Sequence, residues 1–113
     1  MQMPEDAVLL RIFIGENDEA DGRPLYEAIV LAARERQLAG ATVLRGPMGF
    51  GHSSRLHTAK ILRLSDDLPL VIEIVDAADK IDAFRPVLMK LMKTSGLVTL
   101  ENVRVLQYGP GGV

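Results

Sequence analysis

Residues 8–14 carry two interleaved apolar sets, Val8, Leu10, Ile12 and Ile14 on one side of an extended chain and Leu9, Arg11 and Phe13 on the other. Successive side chains of a strand point to opposite faces, so the pattern predicts a strand covered on both sides, not one with a wet face. That requirement limits the fold more than any other feature. Helices from the same chain can cover one face, and a further layer has to cover the other.

The elements that follow can supply the first layer. A turn-rich stretch, residues 15–22, leads to Pro24, which suits the first position of a helix because its missing N–H costs nothing there. Leu25, Ala28, Ile29 and Ala32 continue at helical spacing, and Gly40 is the expected C-terminal cap. Residues 41–45 resume an extended pattern. Residues 60–64 read as a possible short strand, and Leu70, Ile72 and Ile74 alternate with Val71, Glu73 and Val75 as a third main strand. Asp76 or Asp79 is expected to cap a second helix whose apolar face is Ile81, Phe84, Leu88, Leu91 and Met92; Pro86 predicts a kink or a late start, and Gly96 its end. Residues 98–108 form the last strand.

The order β-α-β-β-α-β with right-handed crossovers predicts an α+β ferredoxin-like sandwich, an antiparallel sheet with both helices on one face. The 113 residues make one domain, with a body over about 8–108 and a disordered tail at 109–113. The second sheet face is left for other copies of the chain, and a hydrophobic content of 48% with a mean hydropathy of +0.15 agrees with such burial. Without cysteine, disulfides and thiolate metal sites are excluded. The sequence shows neither a signal-like start nor a stretch of membrane-spanning length, so a cytoplasmic protein not embedded in a membrane is expected.

Charge is segregated along the chain. Between Glu35 and Asp66 there is no acid, yet Arg36, Arg45, Arg55, Lys60 and Arg63 fall there, 5 of the 13 bases against 0 of the 15 acids. The net charge of −2 conceals a basic segment on an acidic body. Within it Gly46, Gly49 and Gly51 could bring backbone amides close to a ligand, and Arg45, Arg55, Lys60 and Arg63 could supply cations to phosphate oxygens. The spacing matches no Walker or dinucleotide-binding pattern. An exposed hairpin tip with glycines for turns and bases for solubility explains it equally well, although so long a connection points toward function. His52 and His57 lack a neighbouring acid, which argues against a metal site and against a Ser53 or Ser54 nucleophile. With aromatics at 4%, the stacking platform of an RNA-binding sheet is missing, and no nucleic-acid partner is expected.

Residues 22–30, 39–51 and 62–76, and above all Gly40-Ala41-Thr42-Val43-Leu44-Arg45-Gly46 and Gly49-Phe50-Gly51, resemble the PII-like family catalogued as domain of unknown function 190. The resemblance spans about residues 8–108. It implies a homotrimer, a T-loop-like connection between strands two and three, and an adenine nucleotide held between subunits partly by the base of that loop. Carried over, it implies that Gly46, Gly49 and Gly51 form the loop base and that Arg55 and Lys60 meet phosphate, with Arg104 on the last strand as a rough positional match; Arg45 and His52 are added as ligand contacts from the basic segment itself. The loop lacks the tyrosine that PII proteins modify, and Lys93-Thr94-Ser95-Gly96 stands where they carry a second glycine- and lysine-rich loop. The implied function is a signalling regulator whose ligand orders residues 46–58 and so changes its docking on a protein partner, for example a membrane transporter. Two alternatives remain open: a small enzyme using His52 or His57 as acid–base, and a purely structural trimer.

Overall fold

In the computed structural model, which describes residues 4–51, 57–58 and 67–109, the elements run β1 (Asp6–Gly15), β2 (Glu19–Ala20), β3 (Arg23–Pro24), α1 (Leu25–Glu35), β4 (Thr42–Arg45), β5 (Met48–Gly49), β6 (His57–Thr58), β7 (Pro69–Asp76), α2 (Ala78–Met92) and β8 (Leu97–Arg104). Four of the strands form one sheet in the order β4-β7-β1-β8, and every neighbouring pair is antiparallel. With α1 and α2 this is the ferredoxin-like arrangement. The doubly apolar strand is β1, and it pairs on both sides, with Leu10 opposite Ile74 on β7 and Leu100 on β8.

Residues facing each other across an antiparallel pair share a sheet face. Leu10, Ile12 and Ile14 therefore stand with Leu70, Ile72 and Ile74, and all six are buried with Leu25, Ala28, Ile29 and Ala33 of α1 and Ile81, Phe84, Leu88 and Met92 of α2. Both helices lie on this face. Leu9, Arg11 and Phe13 occupy the other with Val71, Glu73 and Val75, and all of these keep solvent exposure.

Several boundaries differ from the sequence reading. Pro24 is the N-cap of α1, one residue before the helix, and the carbonyl of Asp18 accepts from the Leu25 amide at 2.7 Å. The helix ends at Glu35, not near Gly40. Gln37 takes φ 58°, its amide donates to the Arg34 carbonyl at 3.0 Å and that of Leu38 to the Ala33 carbonyl at 3.1 Å. This is a Schellman turn closed by a residue other than glycine, which periodicity could not reveal.

Neither acid caps α2 through its first amides. Its N-cap is Ala77, and Asp76, fully buried, accepts from the amides of Ala77 at 2.7 Å and Ala39 at 2.9 Å. Asp76 thus ties the start of α2 to the α1–β4 connection, where Lys80 Nζ also donates to the Gln37 carbonyl at 3.0 Å. The helix is continuous across Pro86 and starts eight residues before it, so there is no late start; the Asp82 carbonyl that loses its partner lies on an exposed residue. It stops at Met92, with Gly96 at φ +80° in the turn that follows. The last strand ends at Arg104, not Tyr108. Beyond it the Val105 amide donates to the Glu5 carbonyl at 2.7 Å and the Tyr108 hydroxyl to the Ala39 carbonyl at 2.8 Å. Among the described residues no helix is long and apolar enough to cross a membrane.

Two stability measurements follow from the turns. Gln37→Gly relieves a left-handed conformation unfavourable for a residue with a Cβ, and denaturant unfolding should show a gain of about 0.5–1 kcal/mol. Gly96→Ala has the opposite sign, because its methyl would meet Met92 Cε, the Phe13 carbonyl oxygen at 2.9 Å and Ile14 Cγ2 at 3.1 Å. A loss of about 2–4 kcal/mol is expected in the same experiment.

Candidate ligand site at the loop base

The basic segment lies in the connection between β4 and β7. It leaves the sheet as a two-stranded ribbon, with Met48 opposite Thr58 and Gly49 opposite His57. Part of the span 46–58 is thus paired as a ribbon. Met48 and Phe50 are both well exposed beside it.

The glycines at the root have a packing role that the sequence did not disclose. A Cβ on either Gly46 or Gly49 would come within 3.0 Å of Pro69 Cγ, so both let the chain pass over the first residue of β7. The Gly46 amide donates to the Pro69 carbonyl at 2.8 Å and does not face a ligand. That corrects the expectation of an open amide there. Gly51 is different, since no described residue lies within 4 Å of where its Cβ would be.

Arg45, at the end of β4, is paired. Its Nη2 lies 2.6 Å from Glu16 Oε2, with the arginine side chain 62% and the glutamate side chain 24% exposed. Glu16 belongs to the turn after β1, which also grips the far stem of the connection: its amide donates to the Leu68 carbonyl at 2.8 Å, and that of Asn17 to Asp67 Oδ1 at 2.7 Å. The Gly15 amide closes on Asp18 Oδ2 at 2.9 Å. Sequence reasoning missed Glu16 and Asp67 as parts of this site. The available signal was the acidic run after the first strand, opposite in sign to the basic segment.

Arg36 lies 3.8 Å from its sequence neighbour Glu35, and it is Glu16 at Arg45 that brings an acid from elsewhere in the chain into the window. His52, Arg55, Lys60 and Arg63 lie outside the described residues, as does the possible short strand at 60–64, and of His57 only the backbone pairing is described.

Arg104 occupies the opposite corner of the sheet. Arg45 faces Leu70, which faces Ile14, whereas Arg104 faces Asp6 at the other end of β1. Three strand spacings across and eight residues along put the two arginines about 30 Å apart. Arg104 Nη2 is bonded instead to Glu5 Oε1 at 2.7 Å. One chain cannot bring Arg45 and Arg104 to one small ligand.

The helix-free face carries a charge cluster at its centre. Arg11 on β1 reaches Glu73 on β7, Nε to Oε2 at 2.9 Å and Nη2 to Oε2 at 2.8 Å, and Glu101 on β8, Nη1 to Oε1 at 2.8 Å. The hydrogen bond with Glu73 raises the Arg11 guanidinium above its ordinary range, ahead of the opposing effect of burial. Around the cluster stand Leu9, Phe13, Leu44, Val71, Val75 and Leu97, of which Leu44 is 50% and Leu97 58% exposed.

Comparison with known proteins agrees with this fold. A UPF0166 protein of Aquifex aeolicus (strain VF5) is 40% identical over 98 residues, covering 87% of this chain and 91% of the relative. The UPF0166 protein MJ1524 of Methanocaldococcus jannaschii is 32% identical over 99 residues, covering 88% and 91%. Among solved structures, CPII from Thiomonas intermedia K12, a nitrogen regulatory PII-like protein bound to ADP, AMP and bicarbonate, superposes with a TM-score of 0.61 at 15% identity over 90% of each chain. That likeness is one of fold. Residues 7–105 match the model of DUF190, described as "Uncharacterized ACR, COG1993", and the chain belongs to that family, with a PII-like fold.

Proposed function

We propose that this chain is a cytoplasmic PII-like signalling protein that assembles as a homotrimer and binds a small anionic ligand, an adenine nucleotide, in the clefts between subunits. The observation that carries the reading is the placement of Arg45 and Arg104 at opposite corners of the sheet, so that a shared ligand requires a chain boundary. The apolar helix-free face supports such a boundary, because an exposed surface of this kind is costly in an isolated chain. The adenine nucleotides bound by the similarly folded CPII support the ligand class.

In this reading Arg45 and Arg104 supply guanidinium forks to phosphoryl oxygens. Gly51 supplies close backbone approach, and His52, Arg55 and Lys60, assigned from sequence alone, add contacts farther along the connection. Gly46 and Gly49 hold the ribbon on Pro69, the Gly46 amide being taken by the Pro69 carbonyl, and Gly49 offers its backbone to the ligand. Ligand contacts that fix the connection would alter how the exposed Met48 and Phe50 meet a protein partner such as a membrane transporter, an order change of a recognised kind.

Light scattering on the purified protein should give three times the 12.4 kDa chain mass. Calorimetric titration with AMP, ADP and ATP should give saturable heat with at least one of them, and Arg45→Ala and Arg104→Ala should each weaken that affinity by about tenfold or more. A monomer that releases no heat with any of the three would defeat the reading.

A further inference from the structure

The turn after β1 presents a carboxylate where an anionic ligand would have to bind. Glu16 Oε2 stands 2.6 Å from Arg45 Nη2, and neither backbone is free to drift away from this pairing. Arg45 lies in β4 opposite Leu70, with the next amide fixed to the Pro69 carbonyl. Glu16 is flanked by three turn contacts: its own amide to Leu68, that of Gly15 to Asp18 and that of Asn17 to Asp67. The Glu16 side chain is three-quarters sheltered while the guanidinium is mostly exposed. The arginine is reachable by a ligand, and the backbone of the glutamate is anchored beside it.

We infer that Glu16 is an internal competitor for the anion subsite at Arg45, so that a phosphoryl oxygen gains the guanidinium only by displacing the Glu16 carboxylate, and that this residue sets the affinity of the site. The inference rests on the proposed anion site. The Glu16 amide-to-Leu68 bond belongs to the backbone, so the carboxylate can rotate away while the turn stays attached to the far stem. Displacement therefore exchanges one charge-assisted contact for another and does not unfold the connection. Only the fraction of molecules with Arg45 unpaired binds at full strength, which lowers the apparent affinity by that fraction. For a partly exposed ion pair the factor is modest, about two- to fivefold.

The test is calorimetric titration of ADP, and of inorganic phosphate as the minimal oxyanion, into the wild-type protein, Glu16→Gln and Glu16→Ala, with thermal unfolding to verify that each variant is folded. Glu19→Gln removes the same charge from the same turn region without touching Arg45, and it separates direct competition from a general change in potential. ADP binding tightened about two- to fivefold by both Glu16 variants and unchanged by Glu19→Gln is the expected result. Binding seen only in the Glu16 variants would support the inference in its strongest form. Wild-type binding that folded Glu16→Gln and Glu16→Ala leave equal or weaker, or that Glu19→Gln tightens equally, overturns the competitor while leaving the anion site standing. If no variant binds ADP, the anion site itself fails and the competitor with it. Phosphate binding with the same rank order places the competition at the phosphoryl group; a rank order opposite to that of ADP overturns it.

Discussion

The double pairing of β1 is the constraint on which the rest of the structure depends. Eight cross-strand pairs on one side and eight on the other fix which of its residues look toward the helices. Because the side-chain period of a strand is two, a one-residue slip against β7 would exchange the faces and send Arg11 under the helices in place of Leu10 or Ile12. An unpaired guanidinium there would cost several kcal/mol, far more than any single apolar contact could return. Arg11 therefore does more than decorate the open face. Its bonds to Glu73 and Glu101 cross both neighbouring strand boundaries and tie β7, β1 and the edge strand β8 in one register.

That cluster also changes what the open face is. It has an apolar surround, yet its centre holds one guanidinium bridging two carboxylates, which leaves one negative charge unbalanced. Polar groups already paired within a chain can be covered with less loss than unpaired ones. A layer covering this face would therefore keep the Arg11 bonds but have to accommodate the carboxylate charge that Arg11 does not balance.

How much of this was legible in the sequence depends on the physical scale of each signal. Alternation over Val8–Ile14 and Leu70–Val75 reports a face many residues long, and helical spacing through Ile81, Phe84, Leu88 and Met92 does the same; all three survive in the structure. Helix ends are set by single residues. Gly40 was the natural choice for the end of α1, but Gln37 takes the left-handed turn because the Arg34 and Ala33 carbonyls are satisfied there, an outcome no composition rule contains. The candidate site was legible as a segment and not as contacts. Sequence distance made residues 36–65 look like an isolated basic stretch, whereas the fold returns an acid to Arg45 from almost thirty positions earlier.

The roles of the glycines bear on what kind of recognition the loop base can offer. A site built on converging amides reads the shape of an anion through fixed dipoles and depends little on the state of nearby side chains. Here the Gly46 amide serves the Pro69 carbonyl, and Gly46 and Gly49 both serve the passage of the chain over the Pro69 ring. Arg45 at the root carries a guanidinium, a delocalised charge with a planar fork, already matched by the Glu16 carboxylate. Selectivity from such a group is a comparison between oxyanions, the internal one included, and occupancy follows from which of them fits the fork better. The acidic turn and the basic segment, segregated in the sequence, are therefore joined in space at the Glu16–Arg45 pair rather than standing as a charged body and an independent appendage.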